Sequence, residues 1–216
     1  SYFYCMKDLS NLRVSYDKLS LIEDFLPDDP IKLFEIWFDQ LCNSNSVLEP
    51  NAMTLSTVNI QNKPRNRVVL LKKFSKEGFV FYTNYNSSKG LDIENNPNVS
   101  ISFFWPSFER QIIVEGICSK IPSKESDKYF YSRPIDSQIG AIISDQSDKI
   151  TDRNFIENKF NSFKLKAEKI SRPVNWGGYN ILPKSIEFWQ GRKNRLHDRI
   201  LYSDIDKSWL ISRLSP

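Results

Sequence analysis

Apolar residues recur at spacings of three and four through Leu33, Phe34, Trp37, Phe38 and Leu41, which predicts an amphipathic helix. Asp28 or Asp29 can cap it, with Pro30 in its first turn. From Ala52 the period changes. Met53 to Val58 alternates as a strand does, and Asn62-Lys63-Pro64 predicts a turn. Val68 to Leu71 predicts a buried strand, and Gly78 to Thr83 another. Ser87 to Asn95 predicts a short helix halted before Pro97. Val99 to Trp105 and Gln111 to Ile121 predict two long strands joined by a turn that contains Pro106. Three helices follow: 123–133 with Ser123 as N-cap and Pro134 as its stop, a short one from Ser137 to Ile143, and a charged one over 153–169. Trp176 to Leu182, Ser185 to Gln190, Asp198 to Tyr202 and Trp209 to Leu214 are strand-like. Closely spaced strands with short turns predict a mainly β, α+β chain: an antiparallel barrel with helices outside it, not alternating βαβ units. Residues 1–29 are polar and mixed and read as a mobile N-terminal arm, with 30–216 as a single domain.

Composition narrows the function. The 216 residues are 40% hydrophobic and 26% charged, an ordinary globular balance. No apolar run approaches the ~20 residues of a membrane span, and the start carries no secretory pattern, so a cytoplasmic protein is expected. Cys5, Cys42 and Cys118 are far apart and form no CxxC pair, which argues for reduced thiols and against a zinc site or a disulfide framework. The net charge of +4 is dispersed, without the patch or stripe of a nucleic-acid binder. Neither GxGxxG nor GxxxxGK[ST] occurs among only seven glycines, so a phosphate must be held mostly by side chains. No HExxH or EF-hand pattern points to a metal.

Three clusters offer such side chains. The one histidine, His197, sits in Arg195-Leu196-His197-Asp198-Arg199. If that stretch is extended, Arg195, His197 and Arg199 share one face and call for an anion or an electron-rich ring; a solvated basic edge is the alternative. Tyr129 and Arg133 are four apart on a helix, with Ser137 just past Pro134. A phenol, a guanidinium, a hydroxyl and a helix start together suit a phosphate. Arg67 and Lys72 bracket an apolar strand, and charge flanking a buried strand is common. Alternation puts the two on opposite faces unless a strand end re-aims one, and they can then serve two different anions.

Taken together, RVVLLK (67–72), FVFYTNYNSSKG (79–90), ERQIIVEG (109–116), YFYSRPIDSQIGA (129–141), DQS (145–147), WGGY (176–179), EFWQGRKNRLHDR (187–199) and the terminal WLISRLSP (209–216) resemble the pyridoxine 5′-phosphate oxidase family. Arg13-Val14-Ser15-Tyr16 is similar to the family's N-terminal R-x-x-Y. The resemblance implies a split barrel that binds FMN at a homodimer interface. It further implies removal of two hydrogens at C4′ of pyridoxine or pyridoxamine 5′-phosphate, with O2 as final acceptor. Carried onto matching positions, FMN contacts fall on Arg67, Val68, Val69, Leu70, Leu71, Tyr82, Thr83, Ser88, Lys89, Gln111, Gln146, Ser147, Trp189 and Arg199. The substrate phosphate falls to Lys72, Tyr129, Arg133 and Ser137. Arg195 and His197 lie over the substrate ring as the catalytic pair, and Arg13 and Tyr16 close the site. One departure stands out: the family usually has Arg where this chain has Ser88. A flavin reductase on the same barrel and a non-catalytic vitamer carrier remain as alternatives.

Overall fold

A computed structural model describes residues 14–166 and 169–216 of the chain. The candidate Arg13 and the thiol Cys5 lie outside the described residues.

The first helix, α1 (Pro30–Ser44), starts where its sequence demands. Asp29 accepts the Ile31 N–H at 2.9 Å, Pro30 occupies the first turn, and Asn45 ends the helix in a left-handed conformation. Its apolar stripe is buried at Leu33, Phe34, Trp37 and Leu41. Phe34 meets the rings of Phe74, Phe79 and Phe103 edge-on, with centroids 4.9, 5.1 and 5.2 Å away. A buried ring of this kind contributes roughly 1.5–3 kcal/mol, and the edge-to-face geometry adds to it. The helix thereby closes one side of the sheet.

The sheet is antiparallel throughout. In chain order its members are β1 (Ala52–Val58), β2 (Pro64–Leu70), β3 (Lys73–Ser75), β4 (Gly78–Asn84), β5 (Asn98–Trp105), β6 (Arg110–Lys120), β7 (Trp176–Gln190), β8 (Asp198–Ile205) and β9 (Ser208–Leu214). The main path runs β2-β1-β5-β6-β7-β4-β3, with β8 and β9 branching from β7. That branch creates the split. One edge of β7 pairs with β6 along almost its whole length; the other pairs first with β4, over Trp176 to Ile181, and then with β8, over Ser185 to Gln190. Pro183, which has no N–H to donate, sits at the changeover, opposite a register shift at Glu115/Gly116. The remaining helices are α2 (Ser88–Asn95), α3 (Ser123–Ser132), α4 (Ile135–Ile143) and α5 (Arg153–Leu165).

Several expectations need correction. Val68 to Leu71 is not a buried strand: β2 begins at Pro64, lies at the sheet edge and leaves Val68 67% exposed. Leu71 is buried, but just past the strand. Ser123 is the first residue of α3 rather than its cap, and Arg133 already has extended backbone. The next helix starts at Ile135, directly after Pro134, because proline suits a helix entrance as well as an exit. The helix expected over 153–169 ends at Leu165. The two strands expected on either side of Pro183 are one.

Candidate functional site

The candidate residues fall into two groups. The first gathers at the start of α2. Ser87 caps this helix by accepting the Gly90 N–H, and a Cβ at Gly90 would collide with the Tyr85 backbone. In this tight turn the Lys89 Nζ donates to Thr83 Oγ1 (3.1 Å), Ser87 Oγ (3.1 Å) and Gln146 Oε1 (2.9 Å). All three are neutral oxygens. The Ser88 N–H donates to Ser147 Oγ at 3.1 Å, and Ser147 itself has a positive φ of 81°. Burial first, and repulsion from Arg67 second, bring the Lys89 ammonium down to about 8. Two cations that repel each other beside a helix N-terminus are an arrangement that an anion such as a phosphate would relieve.

A second cradle lies one residue away along β4. The Tyr82 ring stacks on Tyr129 at 3.9 Å and on Trp176 at 5.6 Å. The Arg133 guanidinium lies 4.7 Å over the same Trp176. Its Nη1 is buried without a hydrogen-bond partner among the described residues, and burial lowers the pKa of the group. Ser137 occupies the first turn of α4. Gln138, 6% exposed, pins the corner by donating to the Arg133 carbonyl at 2.8 Å. Lys72 is exposed and hydrogen-bonds through its backbone to Val80 of β4.

The second group forms at the far end of β7. Gln111, Trp189 and Arg199 stand in one row across β6, β7 and β8. Glu187 grips Arg199 with two contacts, at 2.7 and 3.1 Å. Beside this row a cavity of about 610 Å³ is lined by Tyr16, Arg192, Asn194, Arg195 and His197, among others. Tyr16 meets Trp189 edge-on at 5.8 Å, and the His197 ring lies 4.7 Å from Trp189. The Arg192 N–H donates to His197 Nδ1 at 3.1 Å, so a neutral ring carries its proton on Nε2. Burial, and then Arg195, lower the His197 pKa, while Asp198 opposes them. The single extended face expected for Arg195, His197 and Arg199 is not there. Residues 193–195 form a short 3-10 turn, Asn194 and Arg195 have φ of 58° and 61°, and the strand begins only at Asp198. Arg195 and His197 reach one cavity by that turn instead. A non-glycine residue held left-handed costs roughly 1–2 kcal/mol.

The two groups do not meet within one chain. Tyr82 pairs with Gly178, while Trp189 lies eleven residues further along β7, a separation of up to about 36 Å of strand.

The described segment before α1 is docked against this second group. Leu21 is buried, and its N–H donates to Asp198 at 3.0 Å. Arg213 bridges Glu23 and Asp198.

Residues 44–167 match the family model described as pyridoxamine 5′-phosphate oxidase, and residues 176–216 match the pyridoxine 5′-phosphate oxidase C-terminal dimerisation region. The chain belongs to the pyridoxine/pyridoxamine 5′-phosphate oxidase family. A relative of that name from Flavobacterium johnsoniae is 55% identical over 215 residues, covering 97% of this chain and all of its own. One from Leptospira biflexa is 48% identical, covering 98% and 100%. Among solved structures, PhzG from Burkholderia lata, in complex with tetrahydrophenazine-1-carboxylic acid, superposes with a TM-score of 0.87 at 27% identity, over 94% of this chain and 100% of that one. An oxidase-related FMN-binding protein from Nostoc punctiforme shares the fold at a TM-score of 0.70 and 16% identity, over 88% and 100%.

For an oxidase of this family, the structure adds supports that carry no role in the sequence reading. Trp176 underlies Tyr82, Tyr129 and Arg133 together. Its WGGY motif was visible in the sequence, but nothing there said what the indole touches. Glu187 and Gln138 act through backbone register and a helix corner, which no local pattern announces. No described helix is long and apolar enough to cross a membrane.

Proposed function

We propose that this chain is an FMN-dependent oxidase that converts pyridoxine 5′-phosphate and pyridoxamine 5′-phosphate to pyridoxal 5′-phosphate, with O2 reduced to hydrogen peroxide. The observation that carries this reading is the pair of cationic cradles on either side of Tyr82–Thr83. Thr83 leads to Lys89 and Arg67; Tyr82 leads to Tyr129 and Arg133. Two cradles suit two phosphates, one on the cofactor and one on the substrate. Among the described residues, Lys89 donates to neutral oxygens alone and Arg133 has an unpartnered buried N–H, so each fits an incoming phosphate oxygen.

FMN held by Arg67, Lys89, Ser88 and Ser147 supplies the two-electron acceptor. Val68, Val69, Leu70, Leu71, Gln111, Gln146 and Trp189 complete its contacts, and Arg199 adds the two N–H groups that Glu187 and the Ser215 carbonyl leave free. Lys72, Tyr129, Arg133 and Ser137 hold the substrate phosphate. That grip, remote from C4′, supplies the energy that orients the reacting carbon. Arg195 and the Nε2–H of neutral His197 donate to the oxygen or nitrogen substituent at C4′, and Tyr16 excludes water. Because the two groups lie at opposite ends of β7, each site joins the first group of one copy to the second group of another. The working unit is a homodimer, in keeping with the dimerisation region at 176–216.

The test uses purified protein with FMN and pyridoxine 5′-phosphate in air, following aldehyde and peroxide together. Equal formation of both is expected. Flavin binding without either product, with the amine substrate inert as well, would instead favour a carrier or a reductase.

The Ser88 departure predicts a cofactor held less tightly than with arginine there. Ser88→Arg is expected to lower the FMN dissociation constant about tenfold, the worth of one charge-assisted hydrogen bond. An unchanged constant in a fluorescence titration of apoprotein would sink the idea.

A further inference from the structure

Asp92 stands in α2 with 4% of its surface exposed, one of the few buried carboxylates among the described residues. Nothing in the proposed chemistry uses it. It accepts the hydroxyl of Thr57 at 2.7 Å, and Thr57 is itself 1% exposed. The same Thr57 Oγ1 accepts Nη1 of Arg67 at 2.7 Å, and Arg67 also donates to the Leu55 carbonyl at 3.3 Å. Arg67 Nη2 lies 3.8 Å from Asp92 Oδ2, and Arg65 Nη1 lies 3.6 Å from Oδ1. The hydroxyl can donate only one proton, and Asp92 takes it, so its lone pairs are left to face Arg67. This fixes the direction of the chain of contacts: guanidinium to hydroxyl to carboxylate. Arg67 sits on β2, an exposed edge strand with little packing of its own to hold a long side chain. The relay reaches it from β1 and α2 instead.

We infer that Asp92, acting through Thr57, is a positioning residue that holds the Arg67 guanidinium in the orientation required by the cofactor phosphate. The inference rests on the assignment of Arg67 to that cofactor. Asp92 touches neither cofactor nor substrate. It acts by restricting the rotamers of Arg67, so that the cost of ordering the side chain is met before the cofactor arrives. The carboxylate also offsets part of the repulsion between Arg65 and Arg67, two residues apart on one strand face.

Positioning and bulk electrostatics predict opposite signs, which makes the inference testable. Removing a negative charge near a phosphate site would by itself tighten FMN. Loss of positioning weakens it. Apoprotein variants are titrated with FMN by flavin fluorescence at fixed salt, and the thermal midpoint of each apoprotein is recorded to check folding. Asp92→Asn and Thr57→Val are each expected to raise the FMN dissociation constant about tenfold, whereas Thr57→Ser, which restores the hydroxyl, keeps the wild-type value. In an Arg67→Gln background neither Asp92→Asn nor Thr57→Val adds a further loss, because the group they position is gone. Unchanged or tighter binding in Asp92→Asn overturns the inference, as does weakening that adds fully to that of Arg67→Gln. If Asp92→Asn does not fold, the Thr57→Val and Thr57→Ser pair decides alone. Wild-type protein that takes up no FMN would overturn the cofactor assignment itself. Wild-type uptake with an indifferent Arg67→Gln would overturn Arg67's role and this inference with it.

Discussion

Replacing Arg195 by leucine is expected to lower kcat/KM for pyridoxine 5′-phosphate by roughly a hundredfold or more while leaving FMN bound, the loss typical of removing one charged donor aimed at reacting atoms. Arg195 reaches the cavity from a left-handed backbone, at φ 61°, directly after Asn194 at φ 58°. Two consecutive residues in that conformation are costly, and a fold keeps such strain where the side chain's position matters. It shares that cavity with Tyr16, Arg192 and His197, none of which belongs to the cradle around Lys89. The flavin absorbance of the purified variant therefore remains, and the deficit falls on kcat as well as KM. A second consequence follows at His197. Arg195 is the second cause, after burial, of its lowered pKa, so removing the charge lets that pKa rise. The acid limb of the pH–rate profile then moves to higher pH, because the neutral imidazole becomes scarcer at a given pH below its pKa. Normal turnover with an unmoved acid limb would show that Arg195 is only a solvated surface residue.

The sequence carried much of this architecture, and the misses have physical causes. The α1 stripe was legible because its period is 3.6 and its cap is an Asp followed by Pro; both are local. The alternation of β1 was legible because one face alone is buried. Val68 to Leu70 misled because an apolar run reads as a buried strand, whereas here it lies at an edge, with Val68 exposed beside the proposed cofactor site. The single β7 was hidden by Pro183, which breaks a strand pattern by propensity yet is tolerated where the strand changes partner. In the site, the residue types of each group could be named, but the division of the two groups between the ends of one strand could not. That division depends on the pairing of β7, a long-range fact that no spacing records. Asp92 was invisible for a related reason: an Asp in a short polar helix reads as solvent-facing until β1 and β2 are packed against it.

The substrate-phosphate cradle yields the second large effect, and it has opposite signs for activity and stability. Arg133 keeps a buried N–H without a partner, an arrangement that costs roughly 1–3 kcal/mol. What offsets this is its guanidinium over Trp176, a contact worth about 0.5–2 kcal/mol. Arg133→Met removes the unsatisfied donor and leaves a flexible thioether to pack on the indole. The thermal midpoint of the apoprotein is accordingly expected to hold or to rise by about 2–4 °C, the shift of 1 kcal/mol in a chain of this size. Activity goes the other way. The phosphate loses charge-assisted hydrogen bonds worth roughly 1.5–3 kcal/mol each, so kcat/KM for the phosphorylated substrate falls about a hundredfold, mostly through KM. Pyridoxine without its phosphate makes no such contact, so its turnover is expected to change little. The ratio of the two kcat/KM values therefore collapses in the variant. A midpoint that drops by several degrees would mean that Arg133 is a structural cation. A preserved preference for the phosphorylated substrate would place the phosphate elsewhere, and Tyr129 and Ser137 would leave the site with it.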